Sequence, residues 1–97
     1  MSTWSIYVVR CADDSLYTGI ATDVDRRLRE HRDGRRGARY LRGRAPIELV
    51  YSQAVGDRSH ASRIEYRLKQ LAKTDKERLL RRPALMKSHI DSLLAGD

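Results

Sequence analysis

Hydrophobic and polar residues alternate almost from the first residue. Trp4, Ile6 and Val8 interleave with Ser5, Tyr7 and Val9, the two-residue period of a strand. Ala12-Asp13-Asp14-Ser15 then supplies turn chemistry, because short Asp and Ser side chains bond their own backbone. A second strand follows, with Leu16, Thr18 and Ile20 on one face and Tyr17, Gly19 and Ala21 on the other. The two runs predict a hairpin with Tyr7 and Tyr17 on the same side of the sheet.

Beyond Ala21 the period lengthens. Thr22 or Asp23 can cap a helix running to about Arg32, and Gly34 is placed to end it. At about 100° per residue, Val24, Arg27, Leu28 and His31 share one face while Arg26, Arg29 and Glu30 point away. Arg27 and His31 therefore flank the buried stripe, unlike most neighbouring arginines. Residues 33–45, DGRRGARYLRGRA, have no period, three glycines and five arginines, and predict a mobile basic loop. A third strand is expected over 47–54, after Pro46. A second helix is expected over roughly 59–73, with Ala61, Ile64, Leu68 and Leu71 as its stripe and Glu65 on the flank. Thr74-Asp75-Lys76-Glu77 spells a capping box that opens a short third helix to about Arg82. Pro83 breaks it, and Leu85, Met86, His89, Ile90, Leu93 and Leu94 space out as a last amphipathic helix. The order β-β-α-β-α-α-α predicts an α+β fold: a three-stranded antiparallel sheet flanked by helices. We expect residues 1–97 to form one domain, with no repeats and no linker.

Composition narrows the setting. The chain has 97 residues, 40% of them hydrophobic, one domain's worth with a modest core. Its single cysteine, Cys11, cannot form an internal disulfide, which fits a reducing compartment. MSTWSIYVVRCADD has neither the basic and apolar regions nor the cleavage site of a secretory leader. The apolar run around Ile6–Val9 is far below the ~20 residues that span a bilayer. A cytoplasmic protein is expected.

The charge is more telling than its total. Nine arginines between Arg26 and Arg44, opposed only by Glu30 and Asp33, account for the whole net charge of +7. Elsewhere eleven basic residues balance eleven acidic ones. A field confined to one stretch suits a polyanion, and the planar guanidinium matches phosphate bidentately. A membrane-surface helix would need a broad apolar face, whereas Val24, Leu28 and Leu41 are the only large aliphatics nearby.

Specific motifs now come into view. Ser5-Ile6-Tyr7, then Tyr17-Thr18-Gly19 ten residues on, then Asp23-x-x-x-Arg27-Leu28, resemble the GIY-YIG nuclease family. Glu65, within Arg63-Ile64-Glu65-Tyr66-Arg67-Leu68-Lys69, resembles the glutamate of that family's metal-binding helix. The likeness covers roughly residues 4–80. The whole chain is similar to the small stand-alone bacterial members, a likeness shared by Val55-Gly56-Asp57-Arg58-Ser59 and Lys76-Glu77-Arg78-Leu79.

The resemblance implies cleavage of DNA phosphodiesters with one divalent ion, Mg²⁺ or Mn²⁺. Under it, Tyr7 acts as general base or positions the attacking water, and Tyr17 helps hold the phosphate. Arg27 faces the non-bridging oxygens, His31 relays a proton, and Glu65 is the one carboxylate on the metal. The family's chemistry fits these residue types. A fixed guanidinium and a metal stabilise charge on phosphoryl oxygens without reorganising, and Mg²⁺ needs few carboxylates when phosphate supplies oxygens. Ionising a tyrosine at pH 7 costs about 4 kcal/mol, which positive surroundings are expected to lower.

Departures from the family pattern are Ser5 for glycine, Thr18 for isoleucine, and the absence of any asparagine, which many active members place near the phosphate. Arg35, Arg36, Arg39, Arg42 and Arg44 are expected on backbone phosphates, with Tyr40 stacking on an unpaired base. The structural alternative pairs Arg27 with Asp23 and Glu65 with Lys69, each contact worth a few tenths of a kcal/mol. His60 and His89 look incidental. The expected function is a DNA endonuclease of low sequence specificity, with branched, damaged or single-stranded DNA as candidate substrates and a protein partner left open. The alternative is a nucleic-acid-binding module that retains the fold without cutting.

Overall fold

The computed structural model describes residues 2–33, 41 and 43–96. β1 (Trp4–Arg10) pairs antiparallel with β2 (Leu16–Ala21), and Tyr7 sits opposite Gly19. The turn between them closes as its residue types predict. Asp13 Oδ1 accepts from the Ser15 amide at 3.1 Å, and Asp14 takes the left-handed conformation at φ 68°. β3 (Glu48–Gly56) pairs antiparallel with the other side of β1, so the sheet order is β2-β1-β3 and β2 lies at an edge. β3 starts one residue later than expected and runs two further. A register shift between Val8 and Val9 also breaks the simple alternation of its faces.

The two faces of the sheet bury different sets. Ile6, with Ile20 and Val55, packs under Ala61, Ile64 and Leu68 of α2 (Arg58–Lys69). Leu79 of α3 (Lys73–Arg81) and Met86 and Ile90 of α4 (Pro83–Ala95) complete that core. On the opposite face, Tyr7, Val9 and Ala21 pack with Leu28 of α1 (Val24–Asp33) and with Leu41 and Ile47. Fully burying an aliphatic side chain such as Ile64 stabilises the fold by about 1.5–3 kcal/mol. α1 is set as anticipated: Asp23 Oδ1 accepts from the Arg26 amide at 3.0 Å, and Leu28 and His31 are its buried residues.

Two helix boundaries differ from the sequence reading. α2 ends at Lys69 rather than near Lys73, its last turn tightened by bonds from the Gln70 amide to the Arg67 carbonyl and from the Leu71 amide to the Leu68 carbonyl. Leu71 still reaches the same core from the turn, so the apolar spacing continues across a break in the helix. The capping box also does not form. α3 is capped by the backbone of Ala72, and Glu77 is held instead by Arg10 in a two-pronged pair at 2.7 and 2.8 Å. A charge-assisted fork outcompetes a single bond to a helix-end amide, and it ties the end of β1 to α3.

Of the basic loop expected over 33–45, Asp33 is instead the last residue of α1, and residues 34–40 and 42, with Arg35, Arg36, Arg39, Tyr40 and Arg42, lie outside the described residues. Arg44 is described. Its guanidinium pairs with Asp13 and lies 3.3 Å from Ser15 Oγ, bracing the β1–β2 turn. A phosphate at Arg44 would compete with that pairing. No helix among the described residues is long and apolar enough to cross a membrane.

Candidate active site

Tyr7 is the hub of the site. Its ring is buried, and the chain lets it lie across β2 because its partner there is Gly19. A Cβ at Gly19 would fall on the phenol, 2.5 Å from Cζ, so any larger residue collides with the ring. The hydroxyl lies 2.8 Å from His31 Nε2. It is also within hydrogen-bonding reach of the Arg27 guanidinium. Tyr17, two register positions along β2, completes an aromatic triangle. Its ring centroid is 6.4 Å from Tyr7 and 5.8 Å from His31, and Tyr7 and His31 are 6.0 Å apart. The strand pattern thus does bring the two tyrosines to one face, and the α1 stripe delivers Arg27 and His31 to it.

Glu65 arrives from the other layer. Residues Ala61, Ile64 and Leu68 of α2 pack on the opposite face, yet Glu65 on the helix flank is close enough for its charge to act on Tyr7. Arg27 and Glu65, 38 positions apart in the chain, therefore both bear electrostatically on Tyr7, Arg27 the more strongly. Both also make local ion pairs. Arg27 contacts Glu30 at 3.1 Å, while the Asp23 side chain caps α1. Lys69 Nζ lies 3.4 Å from Glu65 and also 5.8 Å over the Tyr17 ring.

The electrostatics correct one expectation. Burial, then the neighbouring Tyr17, pushes the Tyr7 hydroxyl up to about 12, and Arg27 only partly offsets the rise. The positive surroundings therefore do not make tyrosinate accessible at neutral pH; desolvation of the anion outweighs them. His31 shifts the other way, lowered by burial and then by the charge of Arg27. At neutral pH a protonated phenol thus faces a neutral imidazole. Where the neutral imidazole carries its hydrogen on Nδ1, the Tyr7 hydroxyl donates to His31 Nε2.

The donor set suits a hard cation of low protein coordination. Glu65 is a partly exposed carboxylate whose charge acts on the phenol, the kind of charge a divalent ion would balance. No cluster of three or more His, Cys, Asp or Glu with metal-holding geometry occurs among the described residues. One oxygen donor suits Mg²⁺ or Mn²⁺, which retain waters and accept phosphate oxygens, and does not suit a tetrahedral zinc site.

Sequence reasoning did not single out Gly19 for its space, Glu30 as the partner of Arg27, or Lys69 above Tyr17. The first had a signal, since glycine inside a strand marks a close approach. The others depend on which rotamers meet across elements.

Known proteins place these features in a lineage. The solution NMR structure of the UPF0213 protein BH0048 from Bacillus halodurans is similar, with 43% identity and a TM-score of 0.53, over 81% of this chain and 83% of that one. The UPF0213 protein YhbQ of Salmonella arizonae is 50% identical over 93 residues, 96% of this chain and 92% of its own length. YhbQ of Escherichia coli K12 is 55% identical over 80 residues, 82% and 79% of the respective lengths. The family model described as the GIY-YIG catalytic domain matches residues 3–78, a span that takes in Tyr7, Tyr17, Arg27, His31 and Glu65. With the motifs, the fold and this match in agreement, the chain belongs to the GIY-YIG family.

Proposed function

We propose that this chain is a divalent-metal-dependent endonuclease that hydrolyses phosphodiester bonds in DNA with low sequence specificity. One observation carries the reading: the Tyr7 hydroxyl lies 2.8 Å from His31 Nε2, with the Tyr17 ring packed beside both. A proton acceptor on that hydroxyl, with the Arg27 cation and the Glu65 carboxylate acting on it through their charge, supplies the parts that phosphodiester hydrolysis needs.

In this mechanism Tyr7 relays rather than holds the charge. An attacking water hydrogen-bonded to Tyr7 gives its proton to the phenol oxygen as the phenol proton passes to His31 Nε2. The new hydroxide oxygen bonds to phosphorus, the P–O bond to the leaving oxygen breaks, and that oxygen takes a proton from solvent. Arg27 faces the non-bridging oxygens, where negative charge grows, and Tyr17 orients the phosphate beside the relay. Glu65 would hold the divalent ion, Mg²⁺ or Mn²⁺, which would supply Lewis-acid neutralisation of charge on the phosphoryl oxygens. The arginines of the basic stretch, Arg35, Arg36, Arg39 and Arg42 among them, hold flanking backbone phosphates.

A second reading, a nucleic-acid-binding module without catalysis, is favoured by one feature. Arg27 and Glu65 are each already ion-paired, to Glu30 and to Lys69. Purified protein with supercoiled plasmid and Mg²⁺ or Mn²⁺ separates the two readings. Nicking that disappears in Glu65→Ala supports the nuclease; DNA binding without nicking in either protein supports the module.

A further inference from the structure

Next to the aromatic triangle, on the exposed edge of the sheet, lies a cleft of about 310 Å³ that the relay does not use. Leu16, Tyr17, Thr18, Lys69 and Lys76 line it. Tyr17 is the shared wall: its ring meets Tyr7 and His31 at the relay and carries Lys69 Nζ 5.8 Å above it at the cleft. Lys69 comes from the end of α2 and Lys76 from the first half of α3. The break between those helices folds the two ammonium groups toward the same strand edge.

The cleft is electrostatically incomplete. Lys69 has Glu65 at 3.4 Å, but Lys76 has no carboxylate within 4.0 Å among the described residues. The adjacent Glu77 is taken by Arg10 and Lys73. Burial, and then the like charge of Lys69, hold the Lys76 ammonium below its ordinary range. A partly desolvated cation facing another cation is relieved by an anion.

We infer that the cleft between Lys69 and Lys76 is a second phosphate subsite, which takes the backbone phosphodiester next to the one held at Tyr7 and Arg27. The inference rests on the nuclease reading for its choice of occupant. A polynucleotide lying along the β2 edge presents phosphates at a regular repeat, so a strand gripped at the relay brings the next anion to the neighbouring cleft. Lysine suits such a subsite, since a point charge holds a backbone oxygen without fixing its orientation. The subsite thus adds affinity and register without reading a base.

The test is DNA affinity as a function of salt. Binding of a fluorescein-labelled duplex is followed by anisotropy, in EDTA so that nothing is cut, for wild type, Lys76→Gln, Lys76→Arg and Lys87→Gln. Lys87 is paired with Asp91 on α4 and controls for the loss of one positive charge elsewhere. The subsite predicts that Lys76→Gln lowers the steepness of log K against log salt by about 0.9, one phosphate's worth, while Lys76→Arg and Lys87→Gln keep the wild-type slope. A Lys76→Gln slope equal to wild type overturns it. So does a labelled polyglutamate chain that binds as tightly as the duplex and loses as much in Lys76→Gln. Should Lys76→Gln not fold, Lys76→Met, which keeps the stem of the side chain, carries the same expectation. Plasmid cutting by the wild type is scored separately. Cutting with an unchanged slope removes the subsite and keeps the nuclease, whereas a reduced slope without cutting keeps the subsite and removes the nuclease.

Discussion

The Tyr7 ring lies across the backbone of Gly19 on the neighbouring strand, so the smallest residue of β2 is what lets the largest buried side chain reach the sheet edge. That arrangement makes a sharp prediction. In Gly19→Ala the new methyl collides with the phenol, and overpacking of this kind destabilises by about 1–3 kcal/mol. The same substitution in a Tyr7→Ala background has nothing to meet. Denaturant titrations of the four proteins in the cycle should therefore give a Gly19→Ala penalty that shrinks by more than half once Tyr7 is gone. Equal penalties in both backgrounds would mean the ring does not occupy that space.

Tyr7 should titrate late. Its hydroxyl is pushed up to about 12 from an ordinary 10.0, so the unfolded chain ionises first as pH rises. The folded state keeps its full stability below pH 10 and loses about 2–3 kcal/mol between about 10 and 12. Tyr7→Phe should remove this part of the alkaline loss. Tyrosinate absorbance followed against pH should likewise lose one late-titrating group in that variant.

At the acid end the Arg10–Glu77 fork dominates. Arg10 holds the Glu77 carboxyl down at about 2, from an ordinary 4.5. A depressed acid stabilises the fold above its unfolded value, and this contribution fades as pH falls from about 4.5 to about 2. Both side chains are partly open to solvent, so screening limits the pair to about 1 kcal/mol. Glu77→Gln should lower stability by that amount at pH 7 and by little at the acid end, as read by thermal unfolding at several pH values.

Under the proposed relay, His31 would set the pH dependence of cleavage. The groups facing it are Tyr7, Tyr17, Arg27 and Glu30, and burial followed by Arg27 lowers its pKa below the ordinary 6.5. It accepts the relayed proton only when neutral. Single-turnover cleavage should therefore rise with pH on the acid side and level off by neutrality. His31→Ala should lose that rising limb along with most of the rate.

Local chemistry was legible wherever neighbours in sequence decide the outcome. Period-two spacing put Tyr7 and Tyr17 on one face, Asp23 capped α1, and the helical stripe carried Arg27 and His31 beside Leu28. What escaped the sequence reading depends on partners distant in the chain. Leu71 continued the α2 stripe through a turn because the core it reaches is the same one. Thr74 and Glu77 spelled a cap that Arg10, 67 positions away, took apart. The sheet order, with β1 central and β2 at the edge, is what exposes Tyr17 to Lys69 and brings Glu65 round to Tyr7. No period in the sequence encodes that.

In the proposed mechanism the Tyr7 hydroxyl relays the proton of the attacking water. Tyr7→Phe keeps the ring over Gly19 and removes only the oxygen, so its single-turnover cleavage of supercoiled DNA in Mg²⁺ or Mn²⁺ is the most direct measurement. The account predicts a rate lower by roughly 10²–10⁴-fold with DNA affinity unchanged. Cleavage by Tyr7→Phe at a near-normal rate, abolished as before by Glu65→Ala, would contradict it.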